Sequence, residues 1–449
     1  MTPYFETELG KLYHGHVLEV LRELPSEAVH CVITSPPYWG LRDYRIPPQI
    51  WDGDSECEHD WRIVGLNKEL SFRTGEKVEN AFCRKCGAWL GSLGLEPTPD
   101  LYVAHIVQIF REIRRVLRKD GTVWLNLGDS YMGAVPKTKE TYNQEINRST
   151  TWEGKDHIAT LKRKIHNLKP KDLCGIPWRV ALALQTDGWW LRQDIIWVKA
   201  ISFCPTYSGS VMPESVKDRF CNSYEHIFLL AKNIRYFFDL DAVREKLQES
   251  TIQRYQRNWD GDTQRGYVSG PQNHVDKWIS NPKKTQRSIA LGRAPRSVWA
   301  INPQPFPEAH FATFPMKLPE IAIKVGCPQW ICKKCGKARE RIAKTEYDVL
   351  RKSRIQDQPK QKMRKDNFGF TKGAVARSKH YTLGWTDCRC RAGWEPGIVL
   401  DPFMGAGTTA VVAERLGRKW IGIELSEPYC SMTKERIKRE TQQLELFRE

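Results

Sequence analysis

Ile398-Val399-Leu400-Asp401-Pro402-Phe403-Met404-Gly405-Ala406-Gly407 reads as a short buried strand that runs into a glycine-rich turn. Thr408–Leu416 continues as a helix closed by Gly417, and Trp420-Ile421-Gly422-Ile423 gives the next strand, ending at Glu424. Strands alternating with helices in this way indicate a mostly parallel, doubly wound α/β sheet. Such sheets bind ligands beyond the carboxyl ends of their strands. Gly405 and Gly407 permit a tight turn and let a ligand approach the backbone closely. Glu424 lies 17 residues beyond Gly407, near the spacing at which an acidic residue accepts hydrogen bonds from ribose hydroxyls. No Lys-Ser or Lys-Thr pair follows the glycines, which disfavours a triphosphate loop. An ordinary strand-to-helix turn is the alternative, and Asp401 before the turn with Glu424 after it weighs against that.

The same alternation extends back through the chain. Val29-His30-Cys31-Val32-Ile33-Thr34 is β-prone and stops at Ser35-Pro36-Pro37-Tyr38-Trp39-Gly40. Two successive prolines cannot continue a ladder, so these residues form a loop at a strand's carboxyl edge. Ile106, Ile109, Phe110, Ile113, Val116 and Leu117 share one face of an amphipathic helix, expected to end at Asp120-Gly121 before the buried strand Thr122–Leu127. A helix over Trp178–Gln185 and strands over Asp194–Val198 and His226–Leu230 complete the core. Between these elements the composition changes. Residues 133–172 carry nine Lys/Arg against five Asp/Glu, and 336–387 carry 14 against 6. The expected organisation is a catalytic core at 1–50, 97–240, 306–330 and 392–449, interrupted by several inserts. These are cysteine-bearing inserts at 51–96 and 331–391, a basic insert at 133–172, and a separate region at 241–305. No repeat with a fixed period is present.

With 449 residues and 40% hydrophobic content, the chain can bury a large core. Its net charge of +17 points to a polyanionic partner. No apolar run reaches the length of a membrane span and the start Met1–Leu12 is polar, so no membrane association and an intracellular, cytoplasmic location are expected. There, thiols stay reduced or bind metal. Seven of the 13 cysteines cluster at ligand-like spacing. Cys332 and Cys335 with Cys388 and Cys390 predict a closed, structural zinc site, with Cys327 near enough to replace one ligand. Cys57 and His59 with Cys83 and Cys86 predict a second, of Cys₃His type. Gly87 and Gly336 stand where a zinc knuckle often has glycine. The competing reading is reduced cysteines in the inserts. Cys31, Cys174, Cys204, Cys221, Cys327 and Cys430 read as core or neutral positions.

Ser35-Pro36-Pro37-Tyr38 suits one chemistry in particular. An exocyclic amine on cytosine or adenine is a poor nucleophile because its lone pair is delocalised into the ring. Acceptors that hold its N–H groups out of the ring plane localise that pair; the Ser35 hydroxyl and the Pro36 carbonyl qualify. Tyr38 offers a stacking face to an extruded base, and the prolines stiffen the loop. In isolation the four residues could equally be a proline-rich turn packed by an aromatic.

Ser35-Pro36-Pro37-Tyr38 near the start together with Asp401–Gly407 near the end resembles the β-group DNA amino-methyltransferases, in which the catalytic motif precedes the cofactor motif. His310–Pro315 looks like that family's segment flanking the cofactor's methionine moiety, and Gly175-Ile176-Pro177-Trp178, Asp194–Trp197 and Met212-Pro213-Glu214-Ser215 look like its framework. The resemblance covers roughly 10–50, 97–240 and 305–449. It implies S-adenosylmethionine as cofactor, held by Asp401, Phe403, Gly405, Gly407, Thr408 and Glu424, with the target amine at Ser35, Pro36, Pro37 and Tyr38. It implies double-stranded DNA as substrate, base flipping, a target-recognition region at 241–305, and a cognate restriction endonuclease as a candidate partner. Arg254, Arg257, Arg265 and Lys277, interleaved with Tyr255, Trp259, Tyr267 and Trp278, suit DNA contact in that region. One departure is His16 in Tyr13-His14-Gly15-His16, where the family commonly has Gly-Asp. Members with Ser at the first motif position are mostly cytosine-N4 enzymes, which favours N4-methylcytosine over N6-methyladenine. Cytosine-C5 methylation needs a cysteine nucleophile, typically in a Pro-Cys pair, and the chain has no such dipeptide. An RNA amino-methyltransferase and a non-catalytic zinc-containing DNA-binding protein are the other readings.

Overall fold

The computed structural model describes residues 1–44, 46–63, 81–132, 168–199, 216–245, 247, 292–304, 313–351 and 375–446. At 63, 343–351, 375–381 and 443–446 it describes the backbone alone. The strands are β1 (Phe5–Glu6), β2 (Gly10–His14), β3 (Val29–Thr34), β4 (Gln49–Trp51), β5 (Trp61–Ile63), β6 (Ala81–Cys83), β7 (Trp89–Gly91), β8 (Leu117–Leu127), β9 (Trp190–Val198), β10 (Tyr224–Ala231), β11 (Val298–Ala300), β12 (Ile331–Cys332), β13 (Arg341–Arg351), β14 (Val375–Trp385), β15 (Trp394–Glu395), β16 (Ile398–Asp401) and β17 (Lys419–Glu424). The helices that matter here are α1 (Val17–Glu23), α2 (Pro99–Val116), α3 (Ile176–Thr186), α4 (Lys317–Gly326), α5 (Thr408–Arg415) and α6 (Glu427–Leu446).

The chain divides into two compact units, one of Met1–Phe237, Ser297–Gln329 and Pro396–Glu449, the other of Phe238–Arg296 and Trp330–Glu395. In the first, nine strands form one sheet in the order β1-β2-β17-β16-β3-β8-β10-β9-β11. The run from β2 through β17, β16 and β3 to β8 is parallel, while β8, β10 and β9 pair antiparallel. This is the mostly parallel α/β sheet expected. Central strands are buried on both faces: all six residues of β3 are buried, four of them apolar, and its polar pair is bonded, His30 Nδ1 accepting the Ile398 N–H at 3.1 Å and the Thr34 hydroxyl donating to Asp401 at 3.0 Å. A four-stranded antiparallel sheet, β4-β7-β6-β5, forms the first insert and already begins at Gln49. The second unit holds two hairpin-like pairs, β12 with β15 and β13 with β14.

Helix α2 shows how the sequence sets an element. Thr98 caps it by accepting the Leu101 N–H at 3.2 Å, Pro99 occupies its first turn, and Arg114 and Arg115 lie in its last. Tyr102, Ile106, Ile109, Phe110 and Ile113 are wholly buried along its inner face. At roughly 1.5–3 kcal/mol for each large apolar side chain, this stripe anchors the helix to the sheet. The helix stops at Val116, earlier than the Asp120-Gly121 signal implied. Leu117 already pairs with Val29, and the register then jumps to Cys31 opposite Thr122. Asp120-Gly121 is therefore a bulge inside β8, with the Asp120 carbonyl accepting the Phe237 N–H at 2.8 Å. Helix α3 starts at Ile176, two residues before the expected Trp178, because the Asp129 carboxylate accepts the Gly175 and Ile176 N–H groups at 3.0 and 3.1 Å. Among the described residues, no helix is long and apolar enough to cross a membrane.

Candidate active site

The carboxyl ends of β3, β8, β16 and β17 face one cleft of about 1040 Å³ within the first unit. Ser35, Pro36, Pro37 and Tyr38 line it, and so do Phe403, Gly405, Thr408 and Glu424. Residues 370 positions apart thus meet because β3 and β16 are neighbours in the sheet.

On the cofactor side, Gly405 and Gly407 have φ of +53° and +77°. Gly407 stands at the start of α5, and a Cβ there would lie 2.7 Å from Thr433 Cγ2, so only glycine fits. Glu424 is buried, its Oε2 accepting the Gly405 N–H and its Oε1 the Ser426 N–H, both at 2.8 Å. Burial raises its pKa above the ordinary carboxylate value, opposed by those backbone bonds. Each oxygen retains a second lone pair, so the carboxylate can still accept hydroxyl bonds from the cleft. Asp401 and Gly407 are not among the cleft-lining residues. Asp401 is 1% exposed and shapes the loop from below. It accepts the Thr34 hydroxyl at 3.0 Å, the Phe403 N–H at 3.1 Å and the Thr409 hydroxyl at 2.6 Å. Burial pushes its pKa up to about 7.

His16 lies at the N-terminus of α1 and lines the cleft, edge-on to Trp51 at 4.9 Å. Its Nε2 is buried with no partner among the described residues, and burial lowers its pKa. A buried polar atom without a partner, a carboxylate with spare lone pairs and a glycine turn facing the cleft fit a nucleoside cofactor with a polar tail. Thr313 and Phe314 also line the cleft, while the rest of the expected flanking segment, His310–Ala312, lies outside the described residues.

On the other side, the Tyr38 hydroxyl is a hub. It receives the Ser35 hydroxyl proton at 3.0 Å and faces Asn126 Oδ1 at 3.1 Å and Glu225 Oε2 at 2.8 Å. Asn126 Nδ2 donates to the same Glu225 oxygen at 3.0 Å, and Lys199 pairs with Oε1. Burial first, then the Glu225 charge, raises the Tyr38 pKa well above its ordinary value, so the phenol keeps its proton. Gly128 lies against the Tyr38 ring, where a Cβ would approach Cε2 to 2.7 Å. The Pro37 carbonyl is taken by the Tyr102 hydroxyl at 2.9 Å. Asn126, Lys199 and Glu225 were not legible as site residues. The "Asn-Leu-Gly-Asp" run ending β8 and the polar pair opening β10, Tyr224-Glu225, are the only local signals.

Both cysteine clusters assemble. Cys57, His59, Cys83 and Cys86 bring four ligand atoms within 4.8 Å of one another, and so do Cys332, Cys335, Cys388 and Cys390. Cys57 and Cys83 sulfurs are 3.9 Å apart, and the Cys86 sulfur is 3.4 Å from His59 Nδ1. Tetrahedral zinc with its usual bond lengths needs edges of about 3.8 and about 3.5 Å. Lys85 N–H points at the Cys83 sulfur and Lys334 N–H at the Cys332 sulfur, each at 3.4 Å. Backbone N–H groups, that of Cys335 foremost, lower the Cys332 pKa to about 6. Cys327 is not part of the second cluster: it belongs to the core unit, wholly buried, with a Cβ at Gly397 reaching 2.9 Å from its sulfur. Cys31, Cys174 and Cys430 are likewise buried and Cys221 is exposed, while Cys204 lies outside the described residues. So do Met212–Ser215, most of 133–172 and all the basic and aromatic residues singled out in 241–305.

Known proteins resemble this chain. The DNA methylase family profile for N6 and N4 enzymes matches residues 29–329 and 394–435. The Type II methyltransferase M.SmaI of Serratia marcescens is 29% identical over 429 residues, covering 96% of this chain and 91% of its own. The Type II methyltransferase M.Cfr9I of Citrobacter freundii is 30% identical over 435 residues, covering 96% and 88%. Among solved structures, the cytosine-N4-specific PvuII DNA methyltransferase overlaps 98% of this chain and 93% of its own, with 15% identity and a TM-score of 0.44.

Proposed function

This chain belongs to the N6/N4 DNA methylase family, and from that premise we propose that it transfers a methyl group from S-adenosylmethionine to the exocyclic N4 of a cytosine extruded from double-stranded DNA. S-adenosylmethionine supplies the electrophilic methyl group. Ser at the first motif position favours cytosine over adenine, and the observation that carries transfer to an exocyclic amine is the state of Ser35. Its only hydroxyl proton is spent on Tyr38, so its lone pairs are free to accept an amine N–H. The Pro36 carbonyl accepts the second N–H, because the neighbouring Pro37 carbonyl is already engaged by Tyr102. Held this way, the amine lone pair points away from the ring and toward the cofactor side. Tyr38 positions Ser35 through its hydroxyl and borders the space the base enters.

Glu424 receives ribose hydroxyls, while Phe403, Gly405 and Thr408 form the wall of the cofactor site. Asp401 and Gly407 act one step back, holding the turn in shape. His16 supports the cofactor's polar end in place of the family's usual acid. Cys57, His59, Cys83 and Cys86 hold one structural zinc, and Cys332, Cys335, Cys388 and Cys390 a second; both sites are closed, without an open position for catalysis. The +17 charge supports phosphate contact, with target recognition assigned to 241–305. We place the enzyme in the cytoplasm with its DNA, with a cognate endonuclease as candidate partner. The test is to methylate a mixed-sequence duplex and identify the modified nucleoside; N4-methylcytosine is expected, and N6-methyladenine would reassign the base.

A further inference from the structure

The first insert meets the core around one histidine. His105, on α2, is 0% exposed. Trp51 of β4 and Trp89 of β7 stack on its ring, with centroid distances of 4.7 and 5.3 Å and interplanar angles of 28° and 22°. Each of its nitrogens meets a carboxylate: Nδ1 lies 2.9 Å from Glu96 Oε1 and Nε2 lies 3.0 Å from Asp52 Oδ2. An imidazole can donate at both nitrogens only when protonated, or else one of the acids keeps its proton. Glu96 is 1% exposed, and burial raises its pKa above the ordinary value.

From Glu96 the network runs to the loop at Ser35–Gly40. Glu96 Oε2 accepts the Gly94 N–H at 2.8 Å, and the Gly94 carbonyl accepts the Gly40 N–H at 2.8 Å. The Glu96 carbonyl accepts the Trp39 indole N–H at 2.9 Å. Gly94 has φ of +93°, and a Cβ on it would lie 3.2 Å from Pro37 Cβ and 3.3 Å from the Tyr38 carbonyl oxygen. The turn at Gly94 therefore packs directly on the loop while hydrogen-bonding to it. A buried carboxylate that loses its partner must protonate or move, and Glu96 has nowhere to move without releasing Gly94. The network reaches the cofactor side through a ring contact, Trp51 edge-on to His16, which a ring kept at 105 would preserve, while Glu424 and Gly405 share no hydrogen bond with His105, Glu96 or Asp52 among the described residues.

We propose that His105 is a positioning residue for methyl transfer: through Glu96 and Gly94 it fixes the backbone of Pro37–Gly40, so that the insert enclosing it governs the transfer rate rather than cofactor affinity. The proposal rests on the reading of Ser35–Tyr38 as the loop that holds the amine. Displacements of about 1 Å at such a loop cost on the order of 100-fold in rate.

The test uses the full chain with three substitutions. His105→Phe keeps a ring for the tryptophans and removes both hydrogen bonds. Gly94→Ala presses on the loop while leaving both His105 hydrogen bonds in place, and Glu96→Gln keeps the bonding capacity. His105→Phe and Gly94→Ala should each lower the single-turnover transfer rate by roughly 10- to 100-fold, with the S-adenosylmethionine Kd within about twofold of wild type. Glu96→Gln should retain most of the rate. Amide hydrogen exchange without cofactor or DNA should rise in peptides spanning 36–44 and 92–98 in His105→Phe, and stay unchanged across β16 and β17. Wild-type rates in both His105→Phe and Gly94→Ala would overturn the proposal. So would unchanged exchange at 36–44, or a rate loss matched by an equal loss of cofactor affinity. A wild-type chain that methylates no DNA would instead count against the amine-holding reading, and the exchange measurement would still judge the relay.

Discussion

Replacing Glu424 by Gln is the smallest change that removes the charge from the cofactor side of the cleft. In the native chain its two oxygens each accept one backbone N–H at 2.8 Å, from Gly405 and Ser426. The amide has a single acceptor oxygen, so whichever way it turns, its NH₂ faces one of those N–H groups. Losing a charged acceptor for the ribose hydroxyls costs about 1.5–3 kcal/mol. At about 1.4 kcal/mol per tenfold, a loss of about 2 kcal/mol raises Kd roughly 30-fold and a loss of about 3 kcal/mol roughly 150-fold. The pH dependence has a definite sign. The ionised carboxylate binds the hydroxyls, and burial raises its pKa. Affinity in the wild type should therefore fall on acidification, beginning above the ordinary carboxylate range, while Glu424→Gln should be flat across the same window. Calorimetric titration of S-adenosylmethionine into both proteins at about pH 7.5 and about pH 5.5 measures this. A Kd within about twofold of wild type, or the same pH profile in both proteins, would refute the role of Glu424.

At the amine side, Ser35→Ala should lower single-turnover methyl transfer strongly with little change in DNA or cofactor affinity, because its bond strengthens only as the transition state forms. Tyr38→Phe should show a smaller loss of the same kind, since it frees Ser35 from its hydroxyl partner while keeping the ring; equal rates for wild type and Ser35→Ala would remove the hydroxyl from the mechanism. Asp401 predicts a stability effect: its folded pKa of about 7 lies above the ordinary value of 3.8, so stability present below that ordinary value is lost as pH rises toward about 7 and regained over the same window as pH falls. Asp401→Asn should flatten that part of the wild-type stability-versus-pH profile in thermal melts, and an unchanged slope would contradict it. Freshly purified, chelator-free protein should contain about two zinc ions per chain, with Cys332→Ser and Cys83→Ser each releasing one; elemental analysis without metal would remove both sites.

The α/β core was legible because it is local. Ile398–Glu424 encodes strand, turn, helix and strand within one short stretch, and the paired spacing of Cys332/Cys335 and Cys388/Cys390 survives folding unchanged. Helix α2 was legible in its apolar face but not at its end. Asp120-Gly121 has the composition of a helix stop, yet Leu117 is held by Val29 in a neighbouring strand, and that contact outweighs the local preference. Non-local contacts also hid Asn126, Lys199 and Glu225. Each looks like an ordinary polar residue in its own segment, and their meeting at Tyr38 follows from the antiparallel placement of β10 between β8 and β9. The reverse happened at Asp401. Its position beside the glycine turn suggested contact with the cofactor, whereas Thr34, Phe403 and Thr409 already occupy its oxygens. His105 and Glu96 gave no signal at all, since a buried hydrogen-bond network has no sequence period.

The central claim is transfer to cytosine N4, and nucleoside analysis tests it most directly. The purified protein is incubated with mixed-sequence double-stranded DNA and methyl-labelled S-adenosylmethionine, and the DNA is digested and resolved by mass spectrometry. Label in N4-methylcytosine, absent with Ser35→Ala, is the predicted result; label in N6-methyladenine, or no label in DNA, would contradict it.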